Sequence, residues 1–370
     1  MLALTFITGC KPFSVEITSQ SNRSDYLNMK NKAPTIKEIA RAADVSSMTV
    51  SRALNRDTRV REETRKRIVK IAEKLNYRPN RIARALVSKR SNLISLIVPD
   101  IKNQFFAELA RGIEDKAREY GIHIIFSSTD NKPANLNDYI RYMLEMGVDG
   151  FILASVRLRE PIVTELVQQR FPVVLVNRKL AGEHVNYVVI DNFKGAYLIT
   201  EHLLKCGYRK IGIIMGSSEM STGRDRMGGY RKALSDYGLP LKKEYVYQGT
   251  FARDTGYKGA QRLLALKDRP DAIFAGSDYF ALSVFDATCE AGINIPEDIA
   301  LAGFDDTEFS AHTRIGLTTV SQRKYEMGRM GFQILIDLIE GDEKDYVNQI
   351  VLEPRLIIRD SCGYKRQKNN

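Results

Sequence analysis

Hydrophobic positions along the chain follow two regimes that meet near residue 90. In the first, helical spacing dominates. Thr35 followed three residues later by Glu38 is a capping box: the hydroxyl accepts from the third helical amide and the carboxylate reaches back. Ile36, Ile39, Ala40 and Ala43 recur at i, i+3, i+4, i+7, which predicts a short helix with one apolar face. Asp44 marks a turn, because Asp tolerates backbone angles most residues avoid. Val45 turns inward, and Ser46 caps a second helix carrying Val50, Ala53 and Leu54 on its inner face. Small Ala40 and Ala43 at the approach make the pair a predicted helix-turn-helix. A third helix presents Ile68, Ile71, Ala72 and Leu75 inward and Arg65, Lys66, Arg67, Lys70 and Lys74 outward. Glu62 and Glu63 suit the positive end of its dipole. Pro79 ends the pattern, and residues 80–87 are too few for a helix that stands alone in water.

From Leu93 the rhythm changes to apolar strands alternating with amphipathic helices. LISLIVPD is a strand and FFAELARGIEDKAREYG a helix with Phe106, Leu109, Ile113, Ala117 and Tyr120 on one face. IIFSST, a helix to residue 147, GFILAS, a helix near 161–170, PVVLVN and YVVID follow. The rhythm then restarts: helices at 193–207, 222–238, 252–266 and 279–292 alternate with KIGIIMG, YVYQG, AIFAGS and IALAGFD. Strands apolar throughout need both sheet faces covered, so two parallel α/β lobes are expected. A last helix at about 322–340 and a strand, VLEPRLIIRD, close the chain.

Charge sharpens the first regime. Of the net +11, residues 33–90 hold sixteen Lys/Arg against six Asp/Glu, or +10, and residues 91–370 are nearly neutral. A cationic end on a neutral body fits a polyanionic partner. The outer face of the second helix (Ser47, Met48, Thr49, Ser51, Arg52, Asn55) suits phosphates and base edges rather than a core. No run of about 18 uncharged apolar residues suggests a membrane-spanning helix. The four cysteines form no C-x-x-C pair and the four histidines no H-E-x-x-H, so neither a disulfide scaffold nor a metal site is expected, and no cofactor. MLALTFITGC resembles a lipoprotein cleavage box but lacks a positive flank. Residues 1–32 read as a disordered extension, with Met29 the expected natural start.

TIKEIARAADVSSMTVSRALN, with LNYRPNRIARAL about twenty residues on, resembles the LacI/GalR family of bacterial transcriptional repressors, and the likeness runs from about residue 35 to 363. It implies a three-helix helix-turn-helix head (33–78), a hinge helix (79–90) and a two-lobed, periplasmic-binding-protein-like α/β body (91–370). Lobe 1 would take about 91–190 and 322–345, lobe 2 about 191–321 and 346–364. The second helix would enter the major groove, Arg52 reading guanine beside Ser47 and Met48 at base edges. Thr35, Ser46, Thr49, Ser51 and Asn55 complete this set. Asn80, Ala83 and Leu86 would serve in the minor groove, Leu86 as a wedge between base steps. Asp44 replaces a Gly often found in the family's turn, and Arg61 stands where the family usually has an N-cap Ser or Asp for the third helix. The partners implied are a pseudo-palindromic double-stranded operator, a second copy of the chain and a small-molecule effector, with the protein in the cytoplasm at the nucleoid and not in a membrane.

Ligands of open α/β sheets sit at the carboxyl ends of strands. The polar residues there are Asp100, Asn103, Asn177, Arg178, Asp191, Ser277, Asp278 and Asp305, with Arg226 just inside a helix. Asp191 and Asp278 read best as helix caps, and Phe105, Phe106 and Tyr279 are available to stack on a sugar ring. The resemblance places Arg226 and Asp305 where this family clasps its small molecule, and Phe106 at the stacking position. The effector set is Asn103, Phe106, Arg178, Arg226, Ser277 and Asp305, for a sugar or sugar phosphate. The alternative is an exported sugar-binding receptor with the same body. No P-loop, G-x-S-x-G or His-centred triad points to an enzyme.

Overall fold

The computed structural model describes residues 34–55, 57–77, 90–182, 184–341 and 347–364. The chain divides into two compact units, Met1–Arg84 and Ala85–Asn370.

In the first unit, α1 (Ile36–Ala42), α2 (Ser47–Leu54) and α3 (Glu62–Lys74) enclose a small core. The capping box at Thr35 and Glu38 forms in full, and Asp44 takes the left-handed turn, φ 49°. Ile39, Val50 and Ile68 are fully buried, each contributing about 1.5–3 kcal/mol by leaving water. Arg61 caps α3 with no side-chain hydrogen bond. Two expectations fail here. Leu75 is exposed, and Tyr77 packs against this core from beyond the end of α3 instead. Arg65 does not point outward: its guanidinium bonds Glu62 at 2.7 Å and the Asp57 carbonyl at 2.7 Å, tying α3 to the preceding loop.

In the second unit the elements run β1 (Leu93–Val98), α4 (Gln104–Glu119), β2 (His123–Ser128), α5 (Pro133–Glu145), β3 (Gly150–Leu153), α6 (Pro161–Gln168), β4 (Val173–Val176) and β5 (Asn186–Ile190). They continue with α7 (Asn192–Lys205), β6 (Ile211–Met215), α8 (Ser221–Asp236), β7 (Val246–Gln248), α9 (Arg253–Leu264), β8 (Ala272–Ala275), α10 (Asp278–Glu290) and β9 (Ala300–Ala302). β10 (Thr319–Ser321), α11 (Lys324–Glu340), β11 (Gln349–Leu352) and β12 (Arg355–Ile357) complete it. Lobe 1 holds a six-stranded parallel sheet, β11-β5-β4-β3-β1-β2, and lobe 2 a four-stranded parallel sheet, β7-β6-β8-β9. Apolar clusters cover both faces of each sheet, as strands without polar alternation require.

α4 and α11 cross in close contact. A Cβ at Gly112 would lie 2.1 Å from the Tyr325 carbonyl, and one at Gly328 2.2 Å from that of Leu109, so only glycine fits at either point. Tyr120, expected on the apolar face of α4, lies exposed at its C-cap. The terminal strand is two strands. β11 joins β5 in lobe 1 and β12 pairs antiparallel with β10. Pro354 has no amide to donate to a ladder, so the strand breaks there. The recrossing therefore falls at Glu353 and Pro354, and β11 belongs to lobe 1 rather than lobe 2.

Candidate nucleic-acid interface and ligand cleft

The head presents α2 by its caps. Ser46 Oγ accepts from the Thr49 amide at 3.1 Å and shares a hydrogen bond with Thr49 Oγ1 at 2.9 Å. These bonds fix the first turn of α2. They leave Ser47, Met48 (62% exposed) and Asn55 outward, with Ser51 and Arg52 half-buried beside them. The Arg52 guanidinium has no hydrogen bond or ion pair among the described residues. Its neighbour Arg59 is committed: its Nε bonds both Asp57 oxygens, at 3.0 and 3.1 Å, and holds that carboxyl well below the usual range. The Thr35 hydroxyl is occupied by Glu38 at 3.2 Å, at the exposed start of α1. Asn80, Ala83 and Leu86 lie outside the described residues.

In the body, all six expected effector residues line one cleft between the lobes. Asn103 and Phe106 enter from the start of α4, Arg178 follows β4, Ser277 follows β8 and Asp305 follows β9. Arg226 enters from α8. About 390 Å³ of non-atom space lies among the lining residues, open solvent included. Phe105 and Phe106 pack edge to face, ring centres 5.0 Å apart.

Arg226 is 2% exposed and elaborately held. Its Nε donates to Asn192 Oδ1 at 2.8 Å, its guanidinium to the Gly276 carbonyl, and it lies 3.8 Å over the Phe304 ring. Burial pushes its pKa down to about 10, the Asp305 carboxylate opposing. Arg178 is likewise pushed down to about 10 by burial and by the charge of Arg226. Its guanidinium lies 5.2 Å from the centre of the Phe251 ring. Asp305 sits 3.7 Å from Arg226, accepts from Gln322 Nε2 and adopts φ 131°, a region that favours glycine. Burial lifts its pKa to about 7, against the pull of Arg226.

Ser277, not Asp278, caps α10, accepting from the Phe280 amide at 3.2 Å. Asp278 lies inside the helix, fully buried. It accepts from Thr319 Oγ1 at 2.6 Å, the Thr307 amide at 2.9 Å and Thr307 Oγ1 at 3.1 Å. Asp191 does cap α7, and Asn103 caps α4 while lining the cleft. Tyr279 does not line it.

Sequence reasoning missed Asn131, Thr222, Phe251 and Gln322, and left Asn177 among strand-end polar residues without a role. The strand-end rule also covers Asn131. Nothing local marks Phe251 or Gln322. These residues matter because of their unmet polar atoms. Among the described residues, eight buried side-chain N or O atoms have no hydrogen-bond partner. Five of the eight belong to cleft residues: Asn131 Oδ1, Asn177 Oδ1, Arg178 Nε, Thr222 Oγ1 and Gln322 Oε1. A buried polar atom without a partner costs about 1–3 kcal/mol, and five at one place mark a surface shaped for a polar molecule.

Comparison with known proteins agrees with this division. The model for bacterial regulatory proteins of the lacI family matches residues 35–80, and that for a periplasmic binding protein-like domain matches residues 200–362. Catabolite control protein A of Priestia megaterium is 36% identical, over 84% of this chain and 94% of its own length. The ribose operon repressor of Haemophilus influenzae is 32% identical, over 88% of this chain and 98% of its own. The solved complex of the transcriptional regulator CelR with cellobiose is similar at TM-score 0.68 and 30% identity, covering 89% of this chain and 99% of that one.

Proposed function

The chain belongs to the LacI family of bacterial regulatory proteins, and from that premise we propose that it is a homodimeric repressor whose affinity for a pseudo-palindromic operator is set by a sugar bound between its lobes. On the DNA side, Arg52 reads a guanine by two hydrogen bonds, with Ser47 and Met48 at neighbouring base edges. Thr35, Ser46, Thr49, Ser51 and Asn55 position the head on phosphates. Asn80, Ala83 and Leu86 act in the minor groove, Leu86 as the wedge. The protein works in the cytoplasm, at the chromosome, and no reaction is assigned to it. The match of residues 35–80 to a regulator head sets aside the exported receptor, which has no use for one.

The observation that carries the ligand class is the set of five unmet polar atoms in the cleft. Three are amide oxygens, which accept only. The buried Asp305 adds a further acceptor. A sugar supplies many hydroxyl donors for such a set, whereas a phosphate group accepts and would leave the amide oxygens unmet. Arg178 Nε and Arg226 answer the sugar's lone pairs, and Phe106 with Phe251 flank its apolar ring face. A relative is named a ribose operon repressor and a structural neighbour is a complex with cellobiose, which supports a carbohydrate.

The test pairs two measurements on the full chain. Selection from random duplexes should yield a two-fold symmetric site, and calorimetry with ribose, glucose, cellobiose and glucose 6-phosphate should find a ligand that changes affinity for it. Arg226→Met should abolish sugar binding and leave the selected site unchanged. Recovery of no symmetric site, or sugar binding undiminished in Arg226→Met, overturns the reading.

A further inference from the structure

His202 and Cys206 lie one turn apart at the C-terminal end of α7, so helical geometry stacks them on one face. Cys362 arrives from the end of the described chain, in the short turn Asp360–Cys362. The imidazole nitrogen and the two sulfurs come within 4.8 Å of one another, and all three residues are buried. His202 Nε2 is 3.2 Å from Cys362 Sγ and 3.7 Å from Cys206 Sγ, and among the described residues only these sulfurs are its hydrogen-bond partners. Neither cysteine is in a disulfide.

Buried thiols alone are ordinary packing. An imidazole whose Nε2 faces two sulfurs and no oxygen is a different arrangement. A cation with nitrogen at about 2.0–2.1 Å and sulfur at about 2.3 Å sets tetrahedral N···S edges of about 3.6 Å. The two observed separations bracket that edge. Further groups hold the donors in place. Thr318 Oγ1 donates to Cys362 Sγ at 3.1 Å, the Tyr208 hydroxyl donates to the Cys362 carbonyl at 3.1 Å, and the Tyr364 ring packs 5.3 Å from the His202 ring. Partners of this outer kind orient ligands in metal sites. No carboxylate joins the cluster among the described residues, and two sulfurs with one imidazole select soft cations over magnesium or calcium.

We propose that His202, Cys206 and Cys362 bind one thiophilic cation, zinc(II) or copper(I), which fastens the C-terminal segment to α7. None of the three residues lines the sugar cleft, and all three lie outside the helix-turn-helix head.

Cobalt(II) is the optical probe. Added to the reduced, chelator-stripped full chain without a histidine tag, it should give thiolate charge-transfer and intense visible bands that saturate at one equivalent. Zinc(II) should displace it. Titration of copper(I) against a copper(I) chelator then ranks the two metals. Cys206→Ala or Cys362→Ala should weaken binding by more than about 100-fold, since even outer partners are worth 10–100-fold. A Cys10→Ala/Cys289→Ala variant should bind as the parent does. In the unaltered chain, zinc should protect Cys206 and Cys362 from alkylation, a readout independent of how the variants fold. Absence of the cobalt bands, bands that persist in Cys362→Ala, or a Cys206–Cys362 disulfide as the product of metal-free handling in place of binding would overturn the proposal.

Discussion

Replacing Asp305 by Asn removes one ionisation and little else. The amide keeps the shape, its oxygen can still accept from Gln322 Nε2, and its nitrogen gains a partner in Gln322 Oε1, which now has none. In the parent, burial raises the Asp305 pKa to about 7 from its ordinary 3.8. The folded state therefore holds this proton more tightly than the unfolded chain. Stability is fully present below the unfolded value and is lost as pH rises through the folded one. A rise of about 3 units at 1.36 kcal/mol each amounts to roughly 4 kcal/mol between pH 4 and pH 8. The attraction to Arg226 acts only on the ionised carboxylate and is already contained in the folded pKa, so it adds no separate pH-dependent contribution; Arg226 itself, with a pKa of about 10, stays charged throughout. The measurement is urea unfolding of the sugar-free protein at several pH values, followed by near-ultraviolet circular dichroism of the body. The difference between parent and Asp305→Asn should widen in the variant's favour by about 2.5 kcal/mol from pH 5 to pH 8. Parallel profiles, within about 1 kcal/mol, would refute the burial argument.

Other expectations concern single contacts. Arg52→Ala should weaken operator binding by about 1–3 kcal/mol and relax preference at one base pair per half-site, read by competition with single-base variants of the selected site. Ser46→Ala removes the bond to the Thr49 amide and should lower the head's stability by about 1 kcal/mol in thermal melting, with the body's transition unmoved. Phe251→Ala removes the ring that faces Arg178 and stacks 5.7 Å from Phe280; calorimetry should show sugar affinity lowered by about 0.5–1.5 kcal/mol. Raising salt should reduce operator affinity linearly on a double-logarithmic plot, while sugar affinity in the same buffers changes little.

Local chemistry made the head legible. A capping box, a turn Asp and a Ser cap each act within four residues, and each takes its expected place. Asn103, Arg178, Ser277 and Asp305 were legible as polar residues at strand ends, Phe106 and Arg226 by the family resemblance, and all six line the cleft. What escaped was decided at long range. Gln322 reaches the cleft from the short link between β10 and α11, where its neighbours in sequence say nothing of Asp305. Arg65 has the sequence setting of a surface cation, and only the fold brings the Asp57 carbonyl within its reach. Leu75 keeps the helical period yet faces water, because α3 ends at Lys74 and the chain turns so that Tyr77 takes the core position. Cys362 lies 156 residues from Cys206, and no spacing rule spans that distance.

The energetics of closure follow from the same atoms. Several bonds draw the lobes together: the Leu158 amide to the Glu219 carbonyl at 2.7 Å, the Lys179 amide to Ser221 Oγ at 3.0 Å and Gln104 to Glu308 at 3.1 Å. Each is worth about 0.5–1.5 kcal/mol net, while each buried polar atom without a partner costs about 1–3 kcal/mol. Asp305 is buried in this form, and burial disfavours its ionised state. The closed form by itself is thus opposed by the very groups that line its cleft. A ligand that meets the amide oxygens and Arg178 Nε removes that opposition, and its differential affinity for the closed form is the free energy available to act on the operator. A compound with equal affinity for both forms shifts nothing, however tightly it binds. Affinity alone therefore does not identify the effector; on the proposed function, the molecule that moves the operator equilibrium should be the one whose hydroxyls answer Asn131, Asn177 and Gln322.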